Sequence, residues 1–485
     1  MDINEIRQQR IVKLEALGAK NVPIYPAGVP LHTTIGEVLS SFEEGKKVTL
    51  CGRLMANRGH GKINFMDLRD ATGKIQLYVK RDIIGVDNAA LLEHLDIADI
   101  ISASGELFKT HTGEFTLKVD DFSILAKALR PLPEKWHGLK DVELRYRQRY
   151  LDLLTNEEVK KVFLLRAKIV RSIRSFLDER GFLEVETPMM HDIAGGAAGR
   201  PFKTFHNEYS MDLFLRIAPE LYLKRLLVGG LDRVYEINRS FRNEGVSTRH
   251  NPEFTMLEVY QAYTDCEGMI NLTQDLICHI TREVLGKEEL TFQGKTIDLK
   301  TPWNRQSFAT LVQDKFGIAP ADDPLQMLKK LQAKGYALDK NRLSRSQINK
   351  IVEDGLEQDL QANPIFITDY FTSLCPLAKV KKDNPLISER FELYVAGMEI
   401  ANAYSELNDP LEQRRRFEEE IKDLTGEEKK NIDNDYLLAL EHGMPPAGGL
   451  GIGIDRLVML LADQPSIRDV ILFPLLRLQQ EEEKA

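Results

Sequence analysis

Asn-Arg-Ser-Phe-Arg-Asn-Glu-Gly-Val-Ser-Thr-Arg-His-Asn-Pro-Glu-Phe spans residues 238–254, and its reading decides the rest of the chain. It gathers three arginines, a Phe-Arg-x-Glu run and a lone Phe254 into one strand–loop–strand unit. Positions i and i+2 of a strand face the same way, so Arg242 and Glu244 are expected side by side on one face. A guanidinium there suits a phosphate or carboxylate, and the neighbouring carboxylate suits an amino group. Such a pair can hold ATP together with an amino acid. Far downstream, residues 448–456 read Gly-Gly-Leu-Gly-Ile-Gly-Ile-Asp-Arg. Gly449, Gly451 and Gly453 alternate along an expected strand and allow close approach of a ligand or a neighbouring backbone. Arg456 closes that run.

A third segment adds carboxylates. Residues 391–406 read Phe-Glu-Leu-Tyr-Val-Ala-Gly-Met-Glu-Ile-Ala-Asn-Ala-Tyr-Ser-Glu. A hairpin turning at Ala396-Gly397 would pair Leu393 with Ile400 and Tyr394 with Glu399, placing Glu392 diagonal to Glu399 on one face. Two carboxylates with no local cation suggest magnesium, which favours one or two carboxylates plus substrate phosphates. Asn402, Tyr404 and Glu406 share a face by strand alternation, and Glu399 falls on the other face unless a bulge intervenes.

The chain has 485 residues, enough for two or three domains, with 43% hydrophobic and 29% charged residues, an ordinary globular profile. A formal net charge of −9 speaks against a non-specific nucleic-acid coat protein, though local basic patches can still read a shaped RNA. Neither DNA nor a membrane is expected as a partner. The four cysteines form no Cys-x-x-Cys pair, which argues against a zinc ribbon and fits a reducing cytoplasm.

Residues 1–45 read as a helix, a proline-containing linker and a short second helix. Within 46–130, strands are expected at Val48–Arg58, Lys62–Arg69, Lys74–Lys80, Ile100–Lys109 and Phe115–Ile124, with a helix at Val86–Leu95. Five strands with a helix after the third is the plan of an OB-fold β-barrel. A linker occupies 131–150, and 151–485 form the larger domain, with a helical insertion at about 305–360. Glu157–Arg180 carries apolar residues at helical spacing, Gly181 stops it, and Phe182–Pro188 follows as a strand. Residues 412–436 read as a charge-dense helix and loop with a solvated face, and the tail 479–485 as frayed.

The segments at 238–254 and 448–456 resemble motifs 2 and 3 of the class II aminoacyl-tRNA synthetases, and the helix–strand–proline unit resembles motif 1, a dimer-interface element there. The resemblance implies an α+β chain: an OB-fold barrel, then a catalytic domain on an antiparallel sheet flanked by helices, assembled as a homodimer. It makes Arg242 and Arg456 the catalytic arginines, at the α- and γ-phosphates. Glu244 would accept from the adenine amino group and Phe254 stack on adenine, while Arg249, His250 and Glu392 complete the ATP site. Glu392 and Glu399 match the metal-binding glutamates, with about three magnesium ions per active site. Because the family brings positions like 399 and 406 into one pocket, a bulge is expected near Asn402.

Three further runs, Gly195–Phe202, Ala218–Tyr222 and Ser405–Pro410, resemble the lysyl-tRNA synthetases of class II, bacterial type, rather than the aspartyl or asparaginyl enzymes. By that resemblance Glu220, Glu258 and the backbone of Gly196 serve the α-amino group of lysine. Arg242 and Asn402 serve its carboxylate, Glu406 and Tyr260 its ε-ammonium, and Tyr404 lines the pocket. A buried carboxylate at the end of a slot rejects neutral isosteres, since an unpaired buried charge costs several kcal/mol. Three positions depart from the family: Ala194 where proline is frequent, Gly199, which loosens the glycine loop, and Met398 where many relatives carry arginine.

In the barrel the resemblance assigns Arg58, Phe65, Gln76 and Glu114 to the anticodon, with Phe65 stacking a base. The expected activity is lysine–tRNA ligation: lysine and ATP give lysyl-adenylate with magnesium, and the lysyl group passes to the 3′ end of tRNA(Lys) in the cytoplasm. A paralogue that lysylates a protein would lack the anticodon barrel. An inactive RNA-binding regulator would be expected to lack one of Arg242, Arg456, Glu392 or Glu399, and all four are present.

Overall fold

The computed structural model describes residues 2–133, 139, 141–197, 199–336, 343, 345–357, 359–423 and 431–477. Parts of the linker, the insertion and the 412–436 segment therefore lie outside the described residues, as do Ala198 of the glycine loop and the 479–485 tail. The chain divides into two units, Met1–Asp141 and Val142–Ala485.

In the first unit, helices Ile3–Ala19 and Ile35–Ser40 precede five strands. Thr34 caps the second helix by accepting from the Glu37 N–H, and the Thr34 N–H donates in turn to the Glu37 carboxylate. Strands β1 (Lys47–His60), β2 (Ile63–Arg69), β3 (Lys74–Lys80), β4 (Ile100–Lys109) and β5 (Phe115–Ala126) close a barrel in the order β1-β2-β3-β5-β4. The expected helix after β3 runs over Gly85–Leu92. Alternation sends Leu54, Met66, Leu68, Ile75 and Leu77 into the barrel core. Phe65 and Asp67 take the alternate positions on β2 and face outward, so Phe65 is not a core residue.

The second unit is built on an eight-stranded sheet. Its strands are β6 (Leu183–Glu184), β10 (Arg233–Phe241), β11 (Glu253–Ala262), β14 (Asn304–Ser307), β15 (Ile365–Phe371), β16 (Ile387–Val395), β17 (Met398–Ser405) and β18 (Ala447–Gly453). Between them in the chain, β7 (Met190–His191), β8 (Lys203–His206) and β9 (Met211–Leu215) form a small separate sheet, and β12 (Glu289–Phe292) and β13 (Lys295–Asp298) a two-stranded ribbon. The large sheet runs in the order β14-β15-β16-β17-β18-β11-β10-β6. Its centre is antiparallel, and each outermost pair, β14–β15 and β10–β6, is parallel.

Helix Glu157–Asp178 packs Ile169, Ile173, Phe176 and Leu177 against one face of this sheet, together with Leu276, Ile277 and Ile280 of helix Cys266–Leu285. Gly181 takes a φ of 73°, a left-handed conformation that ends the helical segment. The strand expected over 182–188 shrinks to Leu183–Glu184, since it reaches only Val234 and Tyr235 before Pro188, which has no N–H to donate. The insertion contributes helices Phe308–Phe316, Pro324–Ala333 and Arg345–Glu357 around their own apolar cluster. Helix Pro410–Asp423 departs from its solvated reading: Gln413 and Arg416 are buried, and Arg416 Nη1 donates to Ala378 O at 2.6 Å. No helix among the described residues is long and apolar enough to cross a membrane.

Candidate active site

Alternation on the central strands sorts side chains into two layers. Leu257 and Val259 of β11, Ala401 and Ala403 of β17, and Leu450 and Ile452 of β18 join the apolar core. Glu258, Tyr260, Asn402, Tyr404, Gly449 and Gly451, the residues between them, line a cavity of about 1560 Å³ on the opposite face. That volume can take a nucleotide and an amino acid together.

The hairpin β16–β17 pairs Tyr394 with Glu399 as expected, but Leu393 pairs with Ala401, not Ile400. Ile400 is an unpaired extra residue, so the bulge falls two positions before Asn402. Its effect is the expected one. Glu392 lies opposite Asn402, and Glu399, Asn402, Tyr404 and Glu406 come to one face.

At the closed end sit three buried carboxylates, Glu220, Glu258 and Glu406. Tyr404 donates to Glu220 Oε1 at 2.5 Å, and Tyr260 donates to Glu258 Oε2 at 3.1 Å. Among the described residues, one cation contacts two of these carboxylates. Lys224 Nζ donates to Glu220 Oε1 at 2.6 Å and lies 2.5 Å from Glu406 Oε2. Neither Glu406 oxygen accepts an aligned hydrogen bond among the described residues. Burial, and then Glu220, push the Glu258 carboxyl up to about 8. Burial likewise raises Glu406 to about 8, against the pull of Lys224. Burial works against the charge on Lys224, but Glu220 and Glu406 outweigh it and keep it protonated. Gly449 is required here: a Cβ would overlap Glu406 Oε1 and lie 2.6 Å from Tyr260 Cε1. Gly196, at a φ of 84°, faces Glu220, and Gly199 abuts Arg242, with 3.2 Å from its would-be Cβ to Arg242 Cδ.

Toward the open end, β10 stops at Phe241, so Arg242 and Glu244 follow the strand and are not part of it. Strand alternation therefore does not relate them. A tight turn does: Glu244 N donates to Arg242 O at 2.9 Å, after Arg242 N donates to Pro252 O. Both side chains still meet, at Gly199. The Arg242 guanidinium stands 5.2 Å over the Phe254 ring, and its Nε has no partner among the described residues. Arg249 Nη1 donates to Glu357 Oε2 and Gly397 O, at 3.0 and 2.9 Å. Arg456 Nη2 donates to His250 Nε2 at 3.2 Å, and burial together with Arg456 lowers the His250 pKa, favouring neutral imidazole.

The carboxylates expected to lack a cation each have one. Glu392 pairs with Arg390 and accepts from the Tyr370 and Tyr394 hydroxyls, both at 2.7 Å, and Glu399 pairs with Arg456 Nη1 at 3.0 Å. Arg390 also donates to Asn402 Oδ1 at 3.1 Å and to Cys375 Sγ at 3.3 Å. Burial, followed by the charges of Glu392 and Glu399, drives the Glu353 carboxyl well up. That excess of negative charge fits a divalent cation shared with phosphates, although no closed cluster of three or more metal-ligating side chains occurs among the described residues.

Lys224 and Arg390 escaped the sequence reading. Each had a signal: Lys224 is one helical turn from Glu220, and Arg390 is two strand positions from Glu392. In the barrel, Arg58 lies opposite Phe65 and its guanidinium pairs with Asp67 Oδ1 at 2.8 Å. Gln76 lies opposite Asp67, and Phe65 meets Tyr78 edge-on at 5.5 Å. Glu114 is exposed in the turn before β5, two residues from Thr116, which lies opposite Gln76.

A family profile described as tRNA synthetases class II (D, K and N) matches residues 141–477, and one described as an OB-fold nucleic acid binding domain matches residues 48–125. The lysine–tRNA ligase of Carboxydothermus hydrogenoformans is 53% identical over 98% of this chain and 99% of its own length. That of Moorella thermoacetica is 50% identical over 99% of each chain, and that of Staphylococcus aureus strain MW2 is 49% identical over 91% and 90%.

Proposed function

Because the chain belongs to the class II tRNA synthetases, among the lysine–tRNA ligases, we propose that its cavity joins lysine to ATP and then charges tRNA(Lys). The observation that carries this reading is the charge at the closed end. Among the described residues, Lys224 is the one cation in contact with Glu220 and Glu406, and Glu258 beside them is influenced by the more distant Arg242. Burial makes that imbalance costly, and a ligand bearing two ammonium groups offsets it. Lysine, with its ε-ammonium at Glu406 and Tyr260 and its α-ammonium at Glu220, Glu258 and the Gly196 backbone, has that charge.

In this reading Arg242 and Asn402 hold the lysine carboxylate. One carboxylate oxygen attacks the α-phosphorus of ATP, a P–O bond forms, and the bond to the β-phosphate oxygen breaks to release pyrophosphate. Charge grows on the phosphoryl oxygens, and Arg242 and Arg456 stabilise it from fixed positions. Phe254 stacks on adenine, Glu244 accepts from its amino group, and Arg249 and His250 meet the outer phosphates. Glu392 and Glu399 would hold magnesium, which when bound supplies further positive charge to the phosphates. The second step moves the lysyl group to a hydroxyl of the terminal adenosine of tRNA. No protein nucleophile is needed; orientation and charge stabilisation supply the catalysis. The outward face of the barrel, with Arg58, Phe65 and Gln76 adjacent and Glu114 in the nearby turn, serves as the anticodon reader. The motif 1 unit mediates a homodimer, and the enzyme works in the cytoplasm.

Amino-acid-dependent ATP–pyrophosphate exchange, run with each of the twenty amino acids and no tRNA, tests the reading. Exchange with lysine alone is expected. No exchange with any amino acid, in folded protein with magnesium, overturns it.

A further inference from the structure

We propose that Lys224 is a specificity-determining positioning residue: a resident ammonium, anchored beneath the lysine site, that draws Glu406 toward its charged form and aims it at the incoming ε-ammonium. The proposal rests on the reading of Glu406 as the acceptor for that group.

The geometry is particular. Lys224 and Glu406 are almost wholly inaccessible, at 0% and 1% exposure, so no solvent ion can substitute for either partner. Lys224 projects from helix Glu220–Val228, whose first residue is itself a pocket carboxylate. Nζ takes one oxygen from each, Glu220 Oε1 at 2.6 Å and Glu406 Oε2 at 2.5 Å. The two ends of the expected lysine site are thereby tied to one atom. Glu406 Oε1 has no hydrogen-bond partner among the described residues, although Gly449 makes room directly against it. The Tyr404 ring closes the side of this arrangement, 5.5 Å from Nζ. Alone, a buried carboxylate takes up a proton and becomes a neutral acid. Lys224 works against that proton uptake, so more of Glu406 is ionised at a given pH than would be without it, and a neutral isostere of lysine then meets an anion it cannot satisfy.

The groups facing this pair are Glu220 from the same helix, Glu258 and Tyr260 from β11, Tyr404 from β17, and Tyr436 from helix Asn434–Glu441. The carboxylates among them add only negative charge when ionised. Removing Lys224 therefore moves Glu406 further toward its protonated form, and raising the pH restores the charge.

The test is lysine-dependent exchange by full-length Lys224→Gln, Lys224→Met and Lys224→Arg, from pH 6.5 to 8.5, beside the parent in the same buffers. Thermal melting checks the fold of each variant. The neutral variants should raise the KM for lysine at least tenfold at pH 7, with the KM for ATP within twofold. The variant-to-parent KM ratio should shrink as pH rises, and discrimination against norleucine should weaken. Lys224→Arg should recover most of the lysine KM. A folded neutral variant with the parent's lysine KM, or with a raised KM ratio that does not change with pH, overturns the proposal. If neither neutral variant folds, Lys224→Arg decides alone: parent-like discrimination and pH profile support the charge role, and a pH-independent loss overturns it. A parent enzyme that fails to exchange with lysine overturns the underlying reading of the site, which is a distinct result.

Discussion

Arg456 Nη1 donates twice to Glu399, to its carbonyl oxygen at 2.8 Å and to its carboxylate at 3.0 Å. The arginine proposed for the γ-phosphate and a carboxylate proposed for magnesium thus hold each other. For both to serve ATP, this pair has to open, with phosphate taking the guanidinium and metal taking the carboxylate.

Glu399→Gln keeps the shape and removes the charge. The magnesium concentration for half-maximal exchange should rise about tenfold, with the lysine KM little changed. An unaltered magnesium titration would remove Glu399 from the metal site. Arg456→Ala should lower kcat for exchange by about 100-fold, as losing a preorganised transition-state contact does.

Glu406→Gln should impair lysine use far more than ATP binding. The loss of a charge pair at a buried position predicts a fall of about 100-fold or more in kcat/KM for lysine, with ATP KM unchanged. Equal lysine-dependent exchange in mutant and parent would sink the ε-ammonium assignment.

The closed end should respond to pH. Glu258 and Glu406 are pushed from an ordinary value of 4.5 up to about 8. Between those values the folded protein binds protons that the unfolded chain has released, so these groups make stability fall as pH rises through that window. Lysine needs them ionised. The rise in Tm caused by saturating lysine should therefore be larger at pH 8 than at pH 6. A larger rise at pH 6 would contradict the arrangement.

Arg390 is bonded at once to Glu392, which belongs to the proposed metal site, and to Asn402, which belongs to the proposed lysine site. Arg390→Gln should raise the KM for both substrates, unlike Glu406→Gln. Leaving Glu392 buried without its cation should also cost about 3–5 kcal/mol of stability, read by denaturant unfolding.

Phe65→Ala should weaken tRNA charging and leave exchange intact. Stacking of one base is worth about 1–3 kcal/mol, so the KM for tRNA should rise between about fivefold and 150-fold. An unchanged KM would show that Phe65 is incidental to RNA binding.

What could be read in the sequence was whatever obeys a fixed period. The barrel strands, the helix Glu157–Asp178 and the two-layer sorting of β11, β17 and β18 all follow from spacing. Interruptions of the period were harder. A bulge leaves no mark in side-chain chemistry, so the family resemblance called for one and only the backbone fixed it at Ile400. The end of β10 at Phe241 was missed because nothing in Phe-Arg-Asn-Glu breaks a strand, and the turn at Arg242 depends on Pro252 across the loop. Partners were missed for a different reason. Lys224 and Arg390 carry no motif of their own, and only the folded helix and strand show that each points at a pocket carboxylate.

A β-strand counts in twos, and Ile400 adds one to the count between the phosphate end and the ammonium end of the cavity. Every residue after it keeps its address only while Ile400 stays outside the ladder. Drawing Ile400 into register opposite Leu393 would slide the rest of β17 by one place, sending Ala403 into the cavity and turning Tyr404 and Glu406 toward the apolar layer. Removing Ile400 altogether would leave Ala401 opposite Leu393 and the cavity residues where they are. What the site inherits is the pairing of Leu393 with Ala401, more than the count of residues before it.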